Sequence, residues 1–247
     1  MNMMRMAFNF CCLSFSTCLL ACGDSSSAAP SSLTSSLPQN GGSTGLTTGS
    51  VTDSRDNQTY KTVKIGNQFW MAQNLNFATN RSFCYNNDSL YCNKYGRLYN
   101  WMEAVDGYGL YSANAKGCNM ESHCWPTPTF PVRGICPEGW HLPSKEEWIQ
   151  LFDTVGGRDV AGTALKSTYG WKDDGNGTDA FGFSALPAGQ GGLFSEYYTE
   201  GMYANFWSAD ESLYESGVYV YLQLNYTQVS INSEVKTSYL SVRCLKD

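Results

Sequence analysis

The placing of cysteine constrains this chain more than any other feature. Cys11, Cys12, Cys18 and Cys22 fall in the opening segment, and Cys84, Cys92, Cys118, Cys124, Cys136 and Cys244 fall well beyond it. The opening segment, MNMMRMAFNFCCLSFSTCLLAC, carries one charge, Arg5, and is apolar from Met6 to Ala21. A short basic start followed by an apolar core is the layout of a secretory signal. The run is too short, and too interrupted by small polar residues, to span a bilayer comfortably. Export puts the second cysteine group in oxidising surroundings, where an even set implies disulfides. Such a set leaves many pairings open. Proximity suggests Cys84–Cys92 and Cys118–Cys124 as small loops, which leaves Cys136–Cys244. A loop of that length contributes roughly 4–5 kcal/mol by the chain-entropy model, less any strain. Zinc is the weaker reading, because no C-x-x-C pair exists and His123 and His141 lie outside zinc-finger spacing.

Leu19-Leu20-Ala21-Cys22 resembles the bacterial lipobox, two apolar residues and a small one before the cysteine that takes the lipid. The resemblance implies cleavage after Ala21 and acylation of Cys22. Several acyl chains hold far more firmly than one, at roughly 0.8 kcal/mol per buried methylene. An ordinary cleaved signal with an incidental Cys22 is the alternative. Residues 23–50 are nearly all Ser, Thr, Gly, Ala and Pro. They cannot bury enough apolar area to offset the entropy of ordering, and they read as a flexible tether with a mean reach of roughly 30 Å. The expected organisation is a signal over 1–21, a lipidated cysteine and tether over 22–52, and one domain over 53–247. The expected location is the bacterial envelope, at the outer membrane or cell surface, with the membrane as a partner through the anchor.

The chain is 14% aromatic and 15% charged, and its net charge is −6. The low charge and high aromatic share suit a loop-rich exported domain better than a cytosolic enzyme. Lys and Arg are scattered rather than clustered, which argues against nucleic acid as a partner.

Within the domain, TYKTVKIGNQFWMA (59–72) reads as a hairpin with its turn at Gly66-Asn67. RLYNWMEAVD (97–106) reads as a helix, with Leu98, Trp101, Met102 and Val105 on one face and Gly107 at its end. In CPEGWHLPSKEEWIQLFDTVGG (136–157), Ser144 and Glu147 make a capping box, and Trp148, Leu151, Phe152 and Val155 form a buried stripe. A shorter helix is expected near 160–167. Strands follow at FGFSALPAG (181–189), along Val218, Val220, Leu222 and Leu224, and at TSYLSVRCL (237–245). This order gives an α+β fold with antiparallel strands, two or three short helices, long loops and disulfides.

Six blocks now carry a family resemblance: DSRDNQTYKTVKIGNQFWMAQNLN, CNKYGRLYNW, GICPEGWHLPSKEEW, GTDAFGFSALPAG, FWSADE and SVRCLKD. Together they resemble the Fibrobacter succinogenes major paralogous domain over about residues 53–247. That family implies an envelope or secreted location, often with a lipid anchor, and points to place and fold rather than to a reaction. More distantly, GWHLPSKEEW and SVRC are similar to blocks of the formylglycine-generating, sulfatase-modifying family. This second similarity implies a C-type-lectin-like fold. Strand 59–65 should then lie near strand 238–245, the helix at 145–155 should pack beneath the sheet, and Cys244 should come toward Cys136.

The chemistry of the sulfatase-modifying family is not expected, because Cys244 is the only cysteine after Cys136 and the paired copper-binding cysteines are absent. The E-P-N, Q-P-D and W-N-D elements of calcium-dependent lectins are absent as well. In DDGNGTD, Asp173, Asp174, Asn176 and Asp179 offer oxygen ligands but lack the full calcium-loop order, so a polar turn is the preferred reading. Neither a metal nor a cofactor is expected. For a hydrolase, His123 and His141 are the available imidazoles, and Glu146, Glu147, Asp210 and Glu211 could supply carboxylates. His141 stands at a helix entry and Glu147 already caps it. Exposed aromatic rings would serve sugar binding. Trp171, Tyr197, Tyr198, Tyr203 and Tyr214 lie in Gly-rich and polar loops and are the candidates, whereas Trp70, Trp101, Trp140, Trp148 and Trp207 fit the core. The expected function is a non-catalytic binding or adhesion domain for plant-wall polysaccharide or another envelope component. The alternatives are a glycan-acting enzyme using Asp or Glu, and a purely structural envelope protein.

Overall fold

The computed structural model describes residues 45–192 and 196–247. The signal, Cys22 and most of the expected tether lie outside the described residues. In chain order the elements are β1 (Thr48–Thr52), β2 (Thr59–Ile65), β3 (Gln68–Met71), β4 (Ser82–Phe83), α1 (Ser89–Tyr95), β5 (Leu98–Tyr99), α2 (Trp101–Ala104), β6 (Trp140–His141), α3 (Lys145–Thr154), α4 (Arg158–Leu165), β7 (Gln190–Gly191), β8 (Tyr197–Tyr198), β9 (Tyr203–Leu213), β10 (Ser216–Gln223), β11 (Val229–Val235), β12 (Leu240–Ser241) and β13 (Leu245–Lys246). One sheet has the order β1-β2-β3-β13-β6, a second β11-β10-β9-β12-β5-β4, and β7 and β8 form a small ribbon. Strand pairing is antiparallel except where β12 meets β9 at Ser241 and Phe206. The fold is therefore α+β with antiparallel sheets. Among the described residues no helix is long and apolar enough to cross a membrane.

The hairpin forms as its sequence directs. Val63, Ile65, Trp70 and Met71 are buried, and Gly66 takes the left-handed φ of +59° that the turn needs. α3 starts at the capping box: Ser144 Oγ accepts from Glu147 N, and Glu147 Oε2 accepts from Ser144 N at 2.8 Å. Its stripe of Trp148, Leu151 and Phe152 is fully buried against Val63, Ile65 and Trp70 of the first sheet and Phe206 and Val220 of the second. The helix thus fills the space between sheets, with Trp70 and Trp148 at 4.7 Å between ring centroids. The chain end reaches the hairpin through β13, which pairs with β3 rather than with β2.

Four sequence expectations need correction. Residues 48–52, expected as tether, form β1, an edge strand in full register with β2 from Thr48↔Val63 to Thr52↔Thr59. Its side chains are largely exposed, so backbone pairing rather than burial holds it, and small polar residues suffice. The helix over 97–106 shortens to α2, because Asn100 caps it at Glu103 N while Leu98 and Tyr99 pair with β4 and β12. Residues 181–189 form no strand; they make only the bridges Lys166↔Ala185 and Gly189↔Ala204. Residues 237–245 break into β12 and the start of β13, because Arg243 turns its side chain into the core between them.

The disulfides are Cys84–Cys92, Cys118–Cys124 and Cys136–Cys244, the last spanning 108 residues. Beside Cys244, Arg243 is buried without a carboxylate bonded to it. Its Nε and Nη2 donate to Asn74 Oδ1 at 3.0 and 2.6 Å, and its Nη1 donates to Met71 O and Phe183 O. Its guanidinium lies over the Phe183 and Phe206 rings. Burial pushes its pKa down to about 9, still above neutral pH.

His141 clamps Asp247 to the start of α3. Its Nδ1 is 2.7 Å from Asp247 Oδ1 and its Nε2 is 3.0 Å from Glu147 Oε1. Burial opposes the charged imidazole, but the hydrogen bonds to Glu147 and Asp247 raise its pKa above the ordinary 6.5. Burial likewise opposes the Glu147 carboxylate, while bonds from His141 and Ser144 lower its pKa below the ordinary 4.5.

Three outcomes follow for stability. Arg243→Met leaves Met71 O, Phe183 O and Asn74 Oδ1 buried without donors and should lower the unfolding free energy by about 3–5 kcal/mol in urea titration. Removing Cys84–Cys92, which closes a loop of only 8 residues, should cost about 2–3 kcal/mol. The His141 clamp contributes fully only where both partners are charged. The imidazole's share is present below pH 6.5 and disappears as pH rises through its raised folded value. The Glu147 share is present above pH 4.5 and disappears as pH falls through its lowered folded value. His141→Gln should therefore cost about 1–3 kcal/mol at pH 5.5, with the gap to the parent narrowing on the alkaline side. Equal loss at pH 5.5 and pH 9 would contradict this account.

Candidate functional site

β10 reads S-G-V-Y-V-Y-L-Q. Side chains alternate across a strand, so burying Val220 and Leu222 in the core sends Tyr219, Tyr221 and Gln223 to the opposite face. Register with β9 places Trp207, Asn205 and Tyr203 beside them, and register with β11 adds Asn232 and Ser230. The result is a row of partly buried tyrosines. Tyr219 and Tyr221 stack at 5.5 Å and 23°, and Tyr203 lies 6.0 Å from Tyr221. Trp207 anchors one end from within the core, where its Nε1 donates to Tyr99 O at 2.8 Å. Beyond the other end is a shallow hollow of about 210 Å³ lined by Tyr221, Gln223, Tyr226, Gln228 and Ser230. Burial, helped by Glu234 and the neighbouring phenols, pushes the Tyr219 phenol up to about 12. It is therefore a neutral hydrogen-bonding hydroxyl at physiological pH. Phenols and side-chain amides thus line one continuous strip, which can offer ring surface and paired donors and acceptors to a hydroxyl-rich ligand.

Of the five aromatics singled out in the sequence, Tyr203 alone belongs to this row. Trp171 needs correction. It is only 5% exposed, and its Nε1 donates to Ser167 Oγ and Ala185 O inside the core. Its Gly-rich surroundings mark a tight buried turn rather than an open loop. Tyr197 leans on Tyr85 and donates to Asn87 Oδ1, and the exposed Tyr198 donates to Glu196. Tyr214 is 50% exposed but lies past the far end of β9 from Tyr203, edge-on to His123. Sequence reading missed Tyr219 and Tyr221, although the alternation that buries their neighbours was the signal for them. It also missed Trp125, which is 83% exposed.

The calcium candidates do not converge. Asn176 Oδ1 accepts from Trp171 N, and Asp179 accepts from Ser184 N and Oγ. Asp173 and Asp174 take left-handed φ values of 47° and 57°, as a polar turn requires. Among the described residues no group of three His, Cys, Asp or Glu side chains is placed to hold a metal. The carboxylates considered for hydrolysis mostly have structural partners. Asp210 accepts from Lys145 N at the start of α3, and Glu147 holds the capping box and His141. Glu211 accepts from the buried Lys236 and from Cys124 N and sits 3.1 Å from His123 Nδ1. Glu146 is exposed on the first turn of α3.

No curated protein and no solved structure matches the chain. The similarity to the sulfatase-modifying family therefore gains no support from a structural neighbour. The family model of the Fibrobacter succinogenes major domain matches residues 63–246, which take in both sheets apart from β1 and the first half of β2, all four helices and the tyrosine row, and the chain belongs to that family.

Proposed function

We propose that this protein is an envelope-displayed, non-catalytic binding domain, and that the row Tyr203–Tyr221–Tyr219 takes a polysaccharide chain. The observation that carries the reading is the row itself: three partly buried phenols in line on the face of β9 and β10 opposite Val220 and Leu222. Sugars bring apolar C–H faces and hydroxyls, which aromatic rings and amides recognise together. Gln223, Gln228, Ser230 and Asn232 supply that second chemistry alongside the rings. The lipid on Cys22 and the Ser/Thr-rich tether belong to the same proposal, since they would hold the domain outward from a membrane surface. Of the carboxylates considered for catalysis, Glu147 is committed to the capping box and His141, and Glu211 to Lys236, which favours binding over turnover.

Retention of the purified chain on cellulose, xylan and envelope fractions tests this directly, run beside a reducing-end assay for hydrolysis. Retention without sugar release is expected. Tyr221→Ala should weaken retention about tenfold while the domain stays folded, because its ring lies partly exposed at the surface. Sugar release, or full retention by a Tyr219→Ala/Tyr221→Ala double variant, would refute the proposal.

A further inference from the structure

A second concavity lies away from the tyrosine row and shares no residue with it. It is a cleft of about 790 Å³ bounded by β1 and β2, the exit of β3, the end of α1 and the loop carrying Ser184. That volume suits a ligand of drug or oligosaccharide size. Its lining is unusual for a chain of net charge −6: it contains Lys61 and Lys94 and, among the described residues, no Asp or Glu. Lys94 Nζ lies 3.5 Å from Glu200 Oε1, whereas Lys61 makes no ion pair among the described residues. A further cation lies under the floor. Arg243 donates to Asn74 Oδ1 and reaches Ser184 O at 3.5 Å, and both of these residues line the cleft. Asp179, whose charge acts on Arg243, is bonded to Ser184 and does not pair with the guanidinium.

The polar groups at the walls are left with free hydrogen-bonding capacity. Gln73 Oε1 accepts from Lys61 N, and Gln58 Oε1 accepts from Tyr60 Oη, so each side chain keeps its amide N–H groups for a ligand. Asn76 N donates to Tyr60 Oη, and Asn76 Oδ1 is a buried acceptor with no partner in the protein. Tyr169 stands at the mouth, largely exposed.

We propose that this cleft binds an acidic saccharide, a short sugar chain bearing carboxylate groups. Lys61 meets a carboxylate, the buried Arg243 adds favourable potential beneath it, and the Gln58, Gln73 and Asn76 amides take the hydroxyls. A neutral sugar would gain the amides alone, and a small inorganic anion would gain the charge alone. The site therefore selects for both features in one molecule.

Calorimetric titration of the full chain with trigalacturonate, its methyl ester, and sodium phosphate tests the idea. Trigalacturonate should bind at least tenfold more tightly than the ester, and the preference should shrink in high salt. Lys61 is exposed, so Lys61→Gln should leave folding intact while reducing the preference to below threefold. Gln73→Ala should weaken the acid and the ester alike. Equal affinity for acid and ester, an unchanged preference in Lys61→Gln, or phosphate displacing trigalacturonate at equal concentration would each overturn the proposal. Tyr221→Ala should leave trigalacturonate binding unchanged, so failure here and failure of the tyrosine-row reading would be told apart.

Discussion

The buried guanidinium of Arg243 is the constraint on which the rest of the domain depends. A cation with no bonded carboxylate is costly in a protein interior unless fixed dipoles replace its lost water. Here the dipoles come from two separate stretches of chain: Met71 O and Asn74 Oδ1 at and just after the end of the hairpin, and Phe183 O with Ser184 O at longer range. Each stretch must be in place for the charge to be tolerated. The aromatic rings of Phe183 and Phe206 cover what the carbonyls leave open. The next residue, Cys244, is tied to Cys136. One short segment thus couples the hairpin, the loop after α4 and the segment leading to β6, and brings the two sheets against α3.

The same device recurs. Lys166 Nζ donates to Gln223 O, Leu224 O and Tyr226 O, and Lys236 Nζ donates to Asn119 O, Ser122 O and Tyr214 O. Nearly every buried carbonyl needs a donor, and a chain with long irregular stretches such as 105–139 cannot find them all in ladders. Buried cations supply several donors at a point without requiring regular backbone. Lys236 also lies over Trp101 and meets Glu211, so the Cys118–Cys124 loop is fixed by charge as well as by its disulfide. Loop order in this domain is accordingly electrostatic as much as covalent.

This explains which parts were legible in the sequence. The hairpin and α3 announce themselves because each carries its own instruction: a Gly-Asn turn in one, a capping box with a stripe of apolar residues in the other. The disulfide partners were suggested by spacing alone. The buried cations were hidden, because Lys166, Lys236 and Arg243 look like any surface charge until their carbonyl partners are assembled from distant segments. Residues 181–189 misled for the same reason. Their apolar character reflects burial, yet Phe183 and Ser184 turn their carbonyls toward Arg243 instead of toward a neighbouring strand. Trp171 misled because Gly170 and Gly175 mark a tight turn into the core. β1 was missed because pairing along an exposed edge needs no apolar side chain.

The candidate sites follow from the same division of labour. With the interior fixed through α3, the hairpin and buried cations, Tyr203 and Tyr221 are held in line by strand register, and Tyr219 by register and by its packing against the core beside Trp207. On the other side, Arg243 does double duty: the contact with Asn74 that stabilises the core also places positive charge directly beneath a cleft lined by amides and lysines. A surface built this way can change its ligand by exchanging residues such as Lys61 or Tyr221, because their side chains take no part in the backbone bonds that hold the sheets together.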